Sequence, residues 1–154
     1  MTDVSVARAI HVLAIVLWIG GVSMVTTVVL PAARRGAFGD RPLEAFLAVE
    51  RRFSWQARMA VIAAGLSGLY MLWRVDLWSR FGQASFWWMH AMLGLWLVFA
   101  VILFAIEPVL SPGTNAKAQR DPARALKVIQ RIHQGLLSLA AVTILAAVAG
   151  AHGW

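Results

Sequence analysis

Residues 9–33 read AIHVLAIVLWIGGVSMVTTVVLPAA, twenty-five positions without one charged side chain. About 20 apolar residues, rising 1.5 Å each in a helix, cross the hydrocarbon of a bilayer. The stretch is therefore read as a membrane helix, and the rest of the chain repeats it. Residues 59–73, 81–106 and 132–154 also lack Asp, Glu, Lys and Arg. The second of these runs is short by itself and is extended upstream to about Phe53. That places Arg58 in its first turns, with a stem long enough to snorkel to the headgroups. A cleaved signal peptide is the competing reading of the first run. It is set aside because the run lacks a basic region ahead of it and a clear small-residue cleavage site.

The expectation is a single domain over residues 1–154, all-α, an integral membrane four-helix bundle with spans at about 6–30, 54–74, 85–107 and 130–151. Composition agrees: 154 residues are 60% hydrophobic and 14% charged, whereas soluble domains have roughly 45–50% apolar and about 25% charged residues. A water-soluble globule is excluded. The absence of cysteine excludes disulfides and thiolate metal sites.

The net charge of +7 would suggest nucleic acid in a soluble protein, but the positions of the basic residues explain it otherwise. Arg34, Arg35, Arg41, Arg51, Arg52 and Arg58 lie between the first two spans; Lys117, Arg120, Arg124, Lys127 and Arg131 lie between the last two. Only Arg8, Arg74 and Arg80 fall on the other side. Lys and Arg in short loops mark the cytoplasmic face. Both termini are expected outside, in a bacterial-type inner membrane, with lipid rather than nucleic acid as the partner.

The basic connections carry local signals. Asp40 ahead of Arg41-Pro42-Leu43-Glu44 has the form of an N-cap, and Leu43, Phe46, Leu47 and Phe53 follow at helical spacing, predicting a short interfacial helix before the second span. Asp121-Pro122 repeats the signal before the fourth span. Ser111 to Asn115 is expected to be a flexible loop. Gly20, Gly21, Ala64, Gly68 and the stretch 140–150 supply small surfaces for close helix approach. Trp73, Trp78, Trp87 and Trp88 are expected to anchor at the outer interface. Glu107, ending the third span before Pro108, is expected to pair with Arg51, Arg52 or Arg131, and Glu50-Arg51-Arg52 to act as an interfacial anchor.

Four histidines carry the only side chains suited to metal or proton chemistry at neutral pH. His11 and His90 both lie near the outer ends of their spans and can share a level. His152 is close to the end of the fourth span and is expected to be solvated. His133 lies nineteen residues earlier, about 28 Å along a helix, and is expected to titrate at the basic interface, with Met59 as a weak partner. Two imidazoles facing each other across a bundle suit a b-type haem. His11 and His90 are thus the candidate axial pair, with Gly94 leaving room for the ring edge and Arg74 and Arg80 as candidate partners for the propionates. A copper reading uses His11, His90 and His152 with Met89 or Met92, because imidazole and thioether together suit copper. Met24 and Met71 would extend such a path.

The segment Ala9-Ile10-His11-Val12-Leu13-Ala14, followed by Leu17-Trp18-Ile19-Gly20-Gly21, resembles the start of the four-helix domain of the copper-resistance protein D (CopD) family. It is similar, more distantly, to the HemJ-type protoporphyrinogen oxidases. The likeness continues through Glu50-Arg51-Arg52, Gly68-Leu69 and Trp88-Met89-His90-Ala91, over roughly residues 5–110. It implies a bundle in which the first-helix histidine, His11, serves a haem or metal site. The CopD likeness implies copper movement or tolerance. HemJ-like proteins carry a Lys directly after that His-Ala where this chain has Met92, so porphyrinogen oxidation is not carried over.

These residues imply a membrane-embedded b-type haem protein, with haem b on His11 and His90, for electron transfer or a small oxidoreductase reaction involving quinone or a redox partner protein. The alternatives are a copper-binding or copper-transport protein of CopD type, and an accessory membrane subunit without a cofactor.

Overall fold

The computed structural model describes residues 2–109 and 116–153; the loop expected at Ser111 to Asn115 lies outside them. Four long helices account for most of the chain: α1 Asp3–Arg34, α2 Pro42–Arg74, α3 Ala84–Val109 and α4 Pro122–Ala151. A short helix, Ala116–Arg120, precedes α4, and no strand occurs among the described residues. α1, α3 and α4 are long and apolar enough to cross a membrane. This is an all-α membrane protein. α2 is 33 residues long but carries Glu50, Arg51, Arg52 and Arg58 in its first half.

The helices alternate in direction. Asp3 at the start of α1 meets Arg74 at the end of α2, and Trp88 at the start of α3 meets Gly150 near the end of α4. Those four helix ends form the terminal end of the bundle. At the opposite, basic end Arg34 of α1 donates to Gln130 of α4, and Arg58 of α2 reaches α3.

Helix starts follow local chemistry. The Asp121 carboxylate accepts from the Arg124 N–H at 3.0 Å, with Pro122 in the first turn, as expected. Asp40 does not cap α2. The residue before that helix is Arg41, which makes no side-chain cap bond, and the expected interfacial helix and second span are one uninterrupted helix. Nothing between Leu43 and Ala64 breaks it, since neither Gly nor Pro occurs there. Leu43 and Phe46 in its first turns are buried with Leu30, Ala33 and Leu126, which ties the start of α2 to α1 and α4.

Helix packing relies on rings set into glycines. A Cβ on Gly21 would collide with the Phe53 ring, one on Gly65 would lie 2.6 Å from the Trp96 ring, and one on Gly150 would collide with Trp88. Lipid removes the hydrophobic drive between helices, so close approach of this kind carries the association. Trp18 completes the centre, buried and edge-on to Phe99 at 4.8 Å. Trp73, Trp78 and Trp87 are exposed, as interfacial anchors would be, whereas Trp88 is turned into the Gly150 notch.

α1 and α3 each contain one π-helical turn, Val25–Val29 and Ile102–Ile106, immediately ahead of Pro31 and Pro108 respectively. Proline clashes with the carbonyl four residues back and offers no N–H, and a local widening of the helix relieves the clash. In α3 the Glu107 N–H bonds the Ile102 carbonyl, five residues back. In that register the donor to the next carbonyl, Leu103, belongs to residue 108, which is proline. Arg58 Nε supplies the missing bond, donating to the Leu103 carbonyl at 3.0 Å. Arg58 therefore points inward rather than snorkelling. It is also the partner of Glu107, at 3.6 Å, in place of Arg51, Arg52 or Arg131. A carbonyl without a donor in a low-dielectric interior is costly enough to draw the guanidinium inward.

Replacing Arg58 by Leu leaves that carbonyl unpaired and is expected to cost about 1–3 kcal/mol in detergent unfolding. Pro108→Ala restores a backbone donor, so in that background the same replacement should cost less, the loss of the Glu107 pair being common to both. Equal costs in the two backgrounds would contradict this pairing.

Candidate functional site

Two polar groups stand inside the bundle, one towards each end. Nearer the terminal end, His11 of α1 lies against α2. Its Nδ1 is 2.9 Å from the Ala64 carbonyl and 3.2 Å from Ser67 Oγ. The Ser67 hydroxyl donates to the Ala63 carbonyl at 2.6 Å, so its oxygen is left to accept. Both neighbours of Nδ1 are thus acceptors, which puts the proton on Nδ1 and leaves Nε2 with a bare lone pair. Gly68 makes room for the ring: a Cβ there would lie 3.3 Å from Cε1. Met71 follows Gly68 by three residues, one helical turn towards the terminal end on the same face.

This end is tied shut between α1 and α2. Asp3 accepts from the Arg74 Nε at 2.7 Å and from the Tyr70 hydroxyl at 2.9 Å. The Tyr70 hydrogen bond first, and the Arg74 bond after it, hold the Asp3 carboxyl below its usual range. Arg74, a candidate propionate partner, is thereby committed to Asp3. Arg80, the other, lies over the Phe86 ring at 4.8 Å.

His90, expected opposite His11, is exposed and packs edge-on against Phe81 at 5.1 Å. The two rings have separate surroundings and make no hydrogen-bond or ring contact with each other. Met89 is buried and Met92 half-buried, while Met24 is exposed. Gly94 faces open space. His152 is exposed, as expected, with Nδ1 donating to the Val148 carbonyl at 2.7 Å. Among the described residues no three His, Cys, Asp or Glu side chains converge as a metal cage would require.

The group at the basic end escaped the sequence reading. Glu50 is not an interfacial anchor, although the neighbouring Arg51 and Arg52 are exposed. Its carboxylate turns into the bundle, 4.0 Å from His133 Nε2, with side-chain exposures of 21% for Glu50 and 18% for His133. Glu50 rather than Met59 is therefore the partner of His133. His133 Nδ1 donates to the Ile129 carbonyl at 3.0 Å, so Nε2 is the nitrogen turned to Glu50. Glu50 precedes the membrane-crossing part of α2, yet burial, reinforced by the like charge of Glu107, pushes its carboxyl from 4.5 to about 7. Register alone offered one clue: Glu50, Phe53, Ser54, Ala57 and Arg58 recur at helical spacing, so both charged residues share the face that carries buried Ser54 and Ala57.

The raised value fixes the sign of a pH effect. The folded state keeps the Glu50 proton where the unfolded chain has released it, so stability declines as pH rises from the ordinary carboxylate range through about 7 and then levels off. Glu50→Gln should remove that decline, its melting temperature overtaking the wild type as pH rises from about 5 to about 8. Melting curves that keep a constant offset over that range would contradict a raised Glu50.

Comparison with known proteins agrees with this architecture. No curated protein and no solved structure matched the chain. The family model of copper resistance protein D matches residues 47–150. The match takes in most of α2 and all of α3, and nearly all of α4, beyond the stretch in which the motifs were recognised, while α1 lies outside it. Over two thirds of its length, this chain belongs to the copper resistance protein D family.

Proposed function

We propose that the protein binds copper and moves it within the membrane, with the His11 side chain as the entry ligand. The observation that carries this is the orientation of that imidazole. Metal-bound histidines characteristically donate their second ring N–H to a carbonyl or carboxylate, which fixes the tautomer and aims the other nitrogen. His11 has that arrangement through Ala64. Met71, one turn further along α2, supplies a thioether, and imidazole with thioether suits copper. A single oriented imidazole with one soft partner is a low-coordination site, suited to cargo that must also leave. Copper is then a substrate rather than a resident cofactor. Family membership supports this reading; haem b on His11 and His90 has no such support.

The same proposal sets the protein in a bacterial-type inner membrane as four spans, with the terminal end facing outward. α2 crosses with the others because Arg58, the charge within its crossing part, is partnered inside the bundle. Apart from Arg58, the ten Lys and Arg between the first two and the last two spans then lie at the cytoplasmic end.

Competitive titration of copper(I) into protein purified in detergent tests the reading. Stoichiometric binding is expected, weakened at least tenfold by His11→Ala and unchanged by His133→Gln. Absence of binding, or binding indifferent to His11, would overturn it. One haem per chain in a pyridine haemochrome assay, lost in His11→Ala and His90→Ala, would put the cytochrome reading in its place.

A further inference from the structure

The group at the basic end has a charge balance that metal handling does not explain. Two pairs from three helices lie together there, Arg58 of α2 with Glu107 of α3 and Glu50 of α2 with His133 of α4, and Glu107 is near enough to Glu50 for the two like charges to repel. Among the described residues, Arg58 is the only permanent cation bonded into the group. Arg51, Arg52 and Arg131 are exposed, and Arg34, the charge that α1 brings to this end, is occupied by Gln130. Two carboxylates against one guanidinium leave one negative charge, and an uncompensated charge in a low-dielectric setting is costly. The group is neutral only when it holds one further proton.

Geometry decides where that proton resides. Arg58 is fixed by two acceptors, the Leu103 carbonyl at 3.0 Å and Glu107 at 3.6 Å. Glu107 is thereby neutralised. Glu50 has no guanidinium and faces His133 Nε2 at 4.0 Å. The other ring nitrogen keeps its own proton against Ile129, so Nε2 is a free base directed at the carboxyl. We propose that Glu50 and His133 form a proton-binding site at the basic end of the bundle, holding one exchangeable proton on either the carboxyl oxygen or Nε2. A proton taken from the solution at that end rests as Glu50–COOH beside a neutral ring, or as a carboxylate beside an imidazolium. Both forms are neutral overall, and the proton returns to the same solution when the site empties. The inference is independent of copper, since neither residue belongs to the site around His11.

Infrared difference spectroscopy against pH, on the full chain in lipid nanodiscs, reads the proton directly. The wild type should show a carboxylic-acid carbonyl signal persisting at least one pH unit above the ordinary glutamate value of about 4.3, and Glu50→Gln should abolish it. Should that variant fail to fold, Glu107→Gln gives an independent reading. It removes the second carboxylate, so the group is neutral without the extra proton, and the Glu50 midpoint should fall, although burial of Glu50 still holds it above the ordinary range. His133→Gln should shift the frequency of the signal, because the group facing the carboxyl at 4.0 Å changes. A wild type with no carboxylic acid above about pH 5, or a midpoint indifferent to both Glu107 and His133, would overturn the proposal.

Discussion

Hydrocarbon gives two apolar helices little reason to associate, since lipid tails solvate each of them as well as the other would. Everything that holds this bundle together is therefore either close fit or a polar bond that lipid cannot replace. The fit comes from Phe53 on Gly21, Trp96 on Gly65 and Trp88 on Gly150, which join α2 to α1, α3 to α2 and α3 to α4. The polar bonds run alongside. Trp96 Nε1 donates to the Val61 carbonyl at 2.8 Å, His11 to Ala64, and Arg58 to Leu103. In each, the acceptor is a backbone carbonyl of a neighbouring helix, so one side chain both satisfies itself and fixes the register of the pair.

The two prolines show how a local defect becomes an organising feature. Pro31 and Pro108 each follow a π turn, and both lie towards the basic end of a helix that runs in the same direction. In α3 the defect leaves a carbonyl that needs a donor. Arg58 answers it, and in doing so brings a cation beside Glu107 and leaves Glu50 to His133. The electrostatics of that end thus follow from one missing backbone N–H. The terminal end is organised differently, by the exposed tie of Asp3 to Tyr70 and Arg74, with the oriented His11 about two turns along α1 from Asp3.

Most of the fold was legible in the sequence, because charge-free runs of helical length admit few other readings in an apolar chain. The Asp121 cap was legible for a similar reason, as capping chemistry is local. Asp40 misled because a cap-like residue gives no information about whether the following helix will continue, and α2 continues into its apolar half without a break. Glu50 and Arg58 misled more deeply. In a linear reading an Arg near the end of an apolar run reaches for headgroups; only the register of α3 against α2 reveals that a proline has left a carbonyl there. His11 was found as a candidate from its depth, but its partners Ala64 and Ser67 lie more than fifty residues away, and its tautomer depends on where the Ser67 hydroxyl points. Trp88 was assigned to the interface by residue type, whereas the Gly150 notch that holds it is a tertiary feature.

The claim that most needs a direct answer is that copper meets the bare Nε2 of His11 with Met71 close behind. X-ray absorption at the copper edge, on the copper(I)-loaded protein in lipid nanodiscs, reports the ligand shell itself. The account predicts imidazole nitrogen together with thioether sulfur, the nitrogen contribution lost in His11→Ala and the sulfur contribution lost in Met71→Leu. A shell that is the same in both variants as in the wild type would contradict it.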